Sequence, residues 1–387
     1  MSEILEKTRL SGPLDSVPIT IIGHPWAPIG MGEQLRSHIT ALSALNLHHG
    51  VLDIFRYAAR TDAGHETIIG AREIREPPAG IRIFHVNGDE VDAVFAAFEA
   101  RGGVLADGFN IIVPAWELPA YPVEWVEKLR LFDEVWALSS FIQASLKASG
   151  VDSVLVGQAV EPLPGPLLPR RHFGIRESAY VLLNFFDLSS YASRKNPESV
   201  LALFDRIRTA DPYADVQLVL KAKQGERGAE AWAREWSATH GVAGRVQVIA
   251  TPLDTLGVRS LIAACDCFVS LHRAEGFGRG LGEAMALGRL AMGTDWSGNT
   301  DFLNSSNGLA VRSDLVALKD GDYPHWQGQS WAEPDVDHAY ALLAPILKNP
   351  ALGRAIARKG QSDVMLSHGN RAVGLRMLDR LEQLVGG

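Results

Sequence analysis

Short apolar segments rich in β-branched residues alternate along the first half of the chain with longer segments of helical period. The pairs are VPITIIG (from Val17) with MGEQLRSHITALSAL, FNIIVPAW (from Phe109) with VEWVEKLRLF, and DEVWALS with SFIQASLKA. Strands that alternate with helices in this way predict a parallel sheet, because helices then cover both of its faces. The first half is therefore predicted to be an α/β domain.

A proline-rich segment interrupts this alternation. Residues 160–174, VEPLPGPLLPRRHFG, contain four prolines, a density that ends regular secondary structure and favours a linker. Strand and helix patterns then resume with AYVLLNFFD, NPESVLALFDRIRTA, DVQLVLKAK, AEAWAREWSATH, GRVQVIA, GVRSLIAACD and CFVSLH. We therefore predict domains at residues 1–165 and 166–370, with residues 371–387 as a C-terminal helix that packs back toward the first domain.

The composition agrees with a two-domain globular protein. A chain of 387 residues with 47% hydrophobic and 21% charged residues exceeds the size of one typical domain, about 150 residues. Its net charge of -8 argues against nucleic acid as a partner, and against an anionic membrane as the main one. Cys265 and Cys267 are predicted on one face of a strand, a spacing that suits neither a disulfide framework nor a zinc site. With no signal-peptide pattern and no long apolar run, the sequence favours a cytoplasmic location.

A glycine-rich loop is the main candidate for a ligand site. HRAEGFGRGLGEAMALG, residues 272–288, follows the strand pattern CDCFVSL and leads into a helical segment. In such a loop, free backbone N–H groups and the helix dipole favour a phosphate or sugar ligand. Two open parallel sheets are expected to bind their ligand in the cleft between them, at the carboxyl ends of the strands.

Two glutamates bracket this loop. Glu283 is predicted in the first turn of the helix, where its carboxylate can bind a ribose diol, and Glu275 is predicted at the end of the strand, facing the cleft. An isolated glutamate at either position is more often a helix-terminal or solvated charge. The glycines between these two, which allow close approach of the backbone, favour a ligand site.

The loop HRAEGFGRGLGEAMALG, followed by GTDWSGNTDFL, resembles the signature of the retaining glycosyltransferases of family 4, in their bacterial polysaccharide branch. The match is specific over residues 261–303 and looser in FFDLSSYASRKNPESVLALF and WELPAYPVEWVEKLRLFDEVWALSSF. The resemblance implies an α/β protein of GT-B fold, with two Rossmann-like domains whose parallel sheets face each other across a cleft. It also implies transfer from a nucleotide sugar to a hydroxyl of a glycan or lipid-linked glycan, without a cofactor.

The resemblance also assigns roles in donor binding. It implies that Glu283 binds the nucleotide ribose and that Glu275 contacts the donor sugar. Lys195 and Lys221 match positions that contact the phosphates, where fixed cations stabilise the charge that grows on the leaving group. Backbone contacts are implied for the residues Gly276, Phe277 and Gly278, and, in GHPWAPIGMGEQLRSH of the first domain, for Gly30 and Gly32.

One position departs from the family pattern. Many relatives carry an arginine shortly after the AYVLLNFFD strand, where this chain has Asp187. We interpret Arg194 as the replacement for that charge.

Three residues of the first domain are candidates for acceptor binding. His24, Trp116 and Glu117 are predicted at strand ends, and Trp116 offers a flat apolar face to a sugar. The alternative, a core tryptophan and a helix-capping acid, remains open. A lipid-linked acceptor would also involve peripheral contact with the inner face of a membrane, through a basic patch.

Two acidic motifs could be mistaken for a metal site. The motifs DGD (320–322) and DVD (335–337) follow no predicted strand, so we expect no catalytic metal.

Three other functions remain open. Glu275 and Glu283 also suit the acid and nucleophile of a glycoside hydrolase or the site of a sugar epimerase. A nucleotide-sugar-binding module without turnover is the non-enzymatic alternative.

Overall fold

The computed structural model describes residues 12–57, 62–186, 191–222 and 244–386, together with positions 231, 235, 238 and 239. Within these residues the chain folds into two compact units. The first runs to Val160 and resumes at Ser367, and the second comprises Glu161–Leu366.

The first unit is built on a six-stranded parallel sheet with strand order β2-β1-β3-β4-β5-β6. Its strands are β1 (Ile19–Gly23), β2 (Gly50–Asp53), β3 (Gly80–Phe84), β4 (Gly108–Ile112), β5 (Glu134–Ala137) and β6 (Val154–Leu155). Its first five helices are α1 (Gly30–Ser43), α2 (Ala63–Ile69), α3 (Val91–Glu99), α4 (Val123–Leu129) and α5 (Ser140–Ala148). Every residue of β1 and β3 is buried, as expected for strands covered on both faces.

The second unit contains a six-stranded parallel sheet with strand order β12-β11-β10-β7-β8-β9. Its strands are β7 (Tyr180–Phe186), β8 (Val216–Ala222), β9 (Val246–Ile249), β10 (Cys267–Ser270), β11 (Leu290–Thr294) and β12 (Leu309–Val311). Its helices are α6 (Ala192–Lys195), α7 (Pro197–Ala210), α8 (Thr255–Ala264), α9 (Arg279–Ala286), α10 (Val336–Lys348) and α11 (Pro350–His368). The predicted α/β class is confirmed by these two sheets. The predicted helix AEAWAREWSATH lies mostly outside the described residues.

An antiparallel hairpin joins β12 to α10. Its strands are β13 (Ser313–Ala317) and β14 (Ser330–Pro334), and the sequence patterns did not predict it. The expectation that no strand precedes the DVD motif (335–337) is therefore wrong, since Asp335 comes directly after β14. Asp335 instead caps helix α10, because its side chain accepts a hydrogen bond of 2.8 Å from the backbone N–H of His338.

The two cysteines are buried and free, but they do not share a strand, contrary to the prediction. Cys265 directly follows α8, and Cys267 is the first residue of β10. The strand therefore begins two residues later than the pattern CDCFVSL (265–271) indicates. Burial raises the pKa of the Cys265 thiol to about 12, so this side chain behaves as a small apolar residue.

The proline-rich segment, apart from Val160, belongs to the second unit and is held there by hydrogen bonds. The Arg259 guanidinium donates to the carbonyl oxygens of Leu163 and Pro166, and the backbone N–H of Leu168 donates to Oγ of Ser260 at 3.0 Å. These contacts satisfy polar backbone groups that no regular element pairs.

The last helix, α12 (Asn370–Gly386), belongs to the first unit. It packs on α1 so closely that a Cβ at Gly374 would lie 2.4 Å from the carbonyl oxygen of Ala41. Arg376 Nε donates to the Val156 carbonyl at 2.8 Å, and Arg380 pairs with Glu134. Among the described helices, none is both long and apolar enough to cross a bilayer.

Two buried histidines should make the first unit sensitive to acid. The rings of His38, on α1, and His85, after β3, lie 4.8 Å apart, and burial lowers the pKa of His38 to about 4 and that of His85 well below its ordinary value. The unfolded chain therefore binds more protons than the folded one as pH falls from about 6.5 toward 4, and stability is lost in this window. For His38 the loss is on the order of 3 kcal/mol.

Unfolding by urea at several pH values measures this effect. His38→Gln should weaken the dependence of the unfolding free energy on pH, even if it lowers stability near neutrality. Equal slopes for wild type and His38→Gln would contradict the assignment.

Candidate functional site

Three connections meet at the carboxyl edge of the second sheet. They follow the neighbouring strands β7, β10 and β11, whose parallel arrangement brings their carboxyl ends together. The connection after β7 carries Arg194 and Lys195 in α6, the one after β10 carries Glu275, and the one after β11 carries Ser297 and Gly298. The candidate site is built from these residues.

The carboxylate of Glu275 is held between two cations. Lys195 Nζ donates to Oε1 of Glu275, and Arg194 Nη1 lies 3.3 Å from Oε2 and donates to the carbonyl of Ala274 at 3.0 Å. Only 12% of the Glu275 side chain is exposed. Burial alone would raise the pKa of this carboxyl, but the charges of Lys195 and Arg194 outweigh it and hold the pKa at about 2. Glu275 is thus a carboxylate at any physiological pH.

The backbone of Glu275 is fixed by the loop that follows β11. Its N–H donates to Oγ of Ser297 at 2.9 Å, and its carbonyl accepts from the N–H of Gly298 at 2.9 Å. Ser297 has a φ of 72°, a strained value for a residue with a side chain. A Cβ at Gly298 would lie 2.0 Å from the carbonyl oxygen of Gly276. The two loops therefore touch backbone against backbone.

The start of α9 requires a glycine. Gly278 precedes the helix with a φ of 88°, in the left-handed region that glycine adopts readily. A Cβ there would lie 2.8 Å from Cβ of Asn299. Phe277 is buried, with its ring 5.2 Å from that of Phe302. Because the Phe277 side chain packs in the core, only the backbone of this residue is placed to contact a ligand.

Glu283 does not lie in the first turn of the helix, so that prediction is wrong. The helix α9 begins at Arg279, upstream of the residues whose apolar spacing indicates a helix in the sequence. Glu283 therefore falls in its second turn. The carboxylate forms an ion pair of 2.7 Å with Arg279. Sequence reasoning missed this partner, although its spacing of four residues on a helix is typical of such pairs.

The remaining donor candidates are spread over both units. Lys221 lies near the end of β8, opposite Phe185 of β7, and its ammonium donates to the carbonyl of Ala222. In the first unit, Gly30 begins α1 and a Cβ there meets nothing within 4 Å, whereas a Cβ at Gly32 would lie 2.2 Å from the Ala27 carbonyl oxygen. The requirement for glycine therefore falls on Gly32. Asp187 lies outside the described residues.

His24 follows β1 and has a carboxylate partner that the sequence did not reveal. Its Nε2 lies 2.7 Å from Oε1 of Glu90, and its ring stacks on Phe55 with a centroid distance of 4.3 Å. Burial opposes ionisation of Glu90, but hydrogen bonds from His24 and from the Asn87 backbone outweigh it and lower the pKa of this carboxyl. No local pattern signals a pair separated by 66 residues.

Trp116 is a core residue, contrary to the prediction of an open sugar platform. The residue is 3% exposed, Nε1 donates to the carbonyl of Ala120 at 2.7 Å, and its ring meets those of Tyr121 and Trp125 edge to face. An aromatic residue at a strand end looks the same in a sequence whether it is open or buried. Glu117 beside it is half-buried.

His272 lies beneath the site as a neutral group. Its side chain is fully buried, its Nε2 lies 3.0 Å from Oδ1 of Asn299, and burial lowers its pKa. In the described part of the chain, no three His, Cys, Asp or Glu side chains are grouped as metal ligands.

Comparison with known proteins places this site in context. Residues 184–321 match the family model described as glycosyl transferases group 1. No curated protein matches the chain in sequence. Among solved structures, HepE of Anabaena, in complex with UDP and glucose, is 12% identical with a TM-score of 0.65, over 95% of this chain and 100% of that one.

Two further structures are equally similar. Sucrose-phosphate synthase from Thermosynechococcus elongatus is 16% identical with a TM-score of 0.67, over 95% of this chain and 99% of that one. A glycosyltransferase from Rickettsia africae is 12% identical with a TM-score of 0.66, over 95% and 98%. At such identities the likeness shows the fold, and the GT-B fold predicted from the sequence is confirmed.

Proposed function

We propose that this chain, a group 1 glycosyltransferase of GT-B fold, is a retaining, metal-independent hexosyltransferase. It moves a sugar from a nucleoside diphosphate donor to a hydroxyl of a glycan or lipid-linked glycan. The observation that carries the proposal is the ionised Glu275, held by Lys195 and Arg194 at the carboxyl edge of the second sheet.

The cations match the charge that develops during transfer. As the bond between the anomeric carbon and the diphosphate oxygen breaks, negative charge grows on the leaving group, so cations fixed beside it stabilise the transition state more than the ground state. The acceptor oxygen bonds to the anomeric carbon on the same face, and its proton passes to the departing phosphate oxygen. Glu275 orients the sugar and stabilises its positive character. No protein side chain is required as a strong base.

The geometry argues against a glycoside hydrolase. That reaction needs one carboxyl group that stays protonated near neutrality to act as an acid. The pKa of Glu275 is held at about 2, and Glu283 is in an ion pair with Arg279. Neither carboxyl is arranged as a proton donor.

Similar structures suggest which donor to test first. HepE of Anabaena has been solved with UDP-glucose, and the pneumococcal O-GlcNAc transferase GtfA, 13% identical with a TM-score of 0.54, with UDP and GlcNAc. We therefore propose a uridine diphosphate sugar as donor, with Glu283 and Lys221 on the nucleotide side. In the first unit we propose Gly32 for the donor, and His24 with Glu117 for the acceptor. A cytoplasmic location with peripheral membrane contact stays a prediction.

Release of nucleoside diphosphate from UDP-, GDP- and ADP-hexoses, in EDTA and with added glycan acceptors, tests this function. We expect acceptor-dependent release from the uridine donor. Glu283→Gln should raise KM for that donor about tenfold, because the amide oxygen accepts a weaker hydrogen bond than the carboxylate does, a change of about 1.4 kcal/mol.

Glu198→Gln is the matched control, since Glu198 is an exposed carboxylate in the first turn of α7. Its KM should equal that of the wild type. Absence of transfer from every donor, despite nucleotide binding, would favour the binding module instead.

A further inference from the structure

The hairpin β13–β14 contacts the segment that carries the two cations of the site. We infer that the hairpin is a positioning element for transfer, in which Glu333 and Arg273 hold Arg194 and Lys195 in register with Glu275. Neither Glu333 nor Arg273 needs to touch the substrate for this role. The inference rests on the proposed function for its kinetic consequence, but its structural basis stands on contacts within the second unit.

The first link is a two-point ion pair. Arg273 Nε lies 2.6 Å from Oε2 of Glu333, and its Nη2 lies 3.1 Å from Oε1. The third nitrogen, Nη1, donates to the carbonyl of Ser193 at 2.7 Å. The guanidinium also lies over the ring of Trp331, 5.5 Å from its centroid. One side chain therefore ties β14 to the segment that carries the cations, with an orientation that two parallel hydrogen bonds define.

The second link runs through the backbone of the same residue. The N–H of Arg273 donates to the carbonyl of Arg194 at 2.8 Å, and the carbonyl of Arg273 accepts from the N–H of Ala332 at 2.9 Å. Arg273 stands two residues before Glu275. The loop that carries the carboxylate, the segment that carries the cations and the hairpin thus meet at one residue.

The third link comes from the loop of the hairpin. Ser193 Oγ donates to the carbonyl of Asp322 at 2.9 Å. The guanidinium carbon of Arg194 lies 5.9 Å from the ring centroid of Tyr323, which in turn meets the ring of Tyr191 edge to face at 4.9 Å. The loop therefore covers the turn from which both cations project.

The single helical turn that carries Arg194 and Lys195 is not stable by itself. Helix α6 has four residues, and one helical turn is unstable without tertiary contacts. It is followed by Asn196 in the left-handed conformation, with a φ of 51°, so the helix is not continued into α7. Displacement of a catalytic group by about 1 Å can cost on the order of a hundredfold in rate. The hairpin supplies the contacts that prevent such displacement.

Glu333→Gln tests the inference, with Asp314→Asn as the matched control. Asp314 pairs with Glu333 across the hairpin but is exposed. Acylation of Lys195 by a water-soluble ester, followed by peptide mass spectrometry, needs no substrate. We expect it to be several times faster in Glu333→Gln than in the wild type or Asp314→Asn, because the ion pair with Glu275 opens more often. Equal labelling in all three proteins would overturn the inference.

The kinetic readouts separate positioning from folding. In Glu333→Gln, kcat with UDP-glucose should fall about tenfold while KM stays within about twofold and the melting temperature within a few degrees. The acidic limit of kcat should move to higher pH, because Lys195 and Arg194, whose charges lower the pKa of Glu275, are less well fixed. His272 also faces Glu275, but it is held by Ser270 and Asn299 and should stay in place. Tyr323→Leu should act in the same direction.

Two outcomes distinguish the two hypotheses. Faster labelling of Lys195 without turnover of any donor by the wild type would remove the proposed function and keep the positioning role. Normal turnover by the wild type, with a kcat and acidic limit of Glu333→Gln equal to those of Asp314→Asn, would remove the positioning role alone.

Discussion

Glu275→Ala is expected to abolish sugar transfer while nucleotide binding is retained. The wild-type carboxylate faces Lys195 and Arg194 in a largely buried site, where charge interactions are stronger than in water. Loss of one such preorganised group commonly lowers kcat about 10²- to 10³-fold. Removal of the carboxylate also leaves the two cations without their anion, so the diphosphate of a nucleotide becomes the available partner.

Steady-state kinetics and calorimetry together test this expectation. The affinity for UDP should be equal to or tighter than that of the wild type, and kcat should fall by at least about a hundredfold. The variant should also lose stability without ligand, because breaking a buried ion pair leaves charge uncompensated. Glu275→Gln, which keeps the shape of the side chain, should behave like Glu275→Ala in kcat. Near-normal turnover by either variant would remove Glu275 from the mechanism.

Lys195→Met should lower kcat about a hundredfold with a smaller change in KM. Its ammonium is one of the two cations beside Glu275, and a cation that acts on the leaving group contributes most when the glycosidic bond breaks. Loss of this charge also raises the pKa of Glu275, since Lys195 is the largest of the charges that lower it. Activity should therefore be lost at a higher pH than in the wild type as the solution is acidified.

Lys221→Met provides the comparison within the same sheet. Lys221 lies on β8, two strands from β10, and should affect KM more than kcat. Lys359→Met removes an ammonium paired with Asp363 on α11 and should change neither. A large fall in kcat for Lys221→Met, with Lys195→Met near normal, would exchange the roles proposed for these two lysines.

The sequence predicted the parts of the structure that depend on short-range patterns. The strands VPITIIG and CFVSLH, and the helices that follow them, appear within a few residues of their expected bounds. The loop after β10 lies in the glycine-rich segment that follows Glu275, as the glycines predicted. These features follow from periodicity and from backbone geometry, both of which are local.

The predictions that failed concern the start of a helix, the exposure of a tryptophan and a hairpin that the sequence patterns did not indicate. The start of α9 at Arg279 was hidden by three glycines around it, so Glu283 was assigned to the wrong turn. Burial of Trp116 depends on Tyr121 and Trp125, which pack around it. The hairpin strand β13 is largely exposed and therefore lacks the apolar alternation that identifies a half-buried strand.

The contact between Gly276 and Gly298 limits how this protein can be re-engineered. A mutant library at position 298 should yield folded protein almost exclusively from clones that retain glycine, because the added carbon has no space against the opposite carbonyl. Position 30 should accept many residues, since a Cβ there meets nothing. Substitutions that change substrate preference will therefore have to be made at side chains around the loop. The glycine contact within the loop has to be kept.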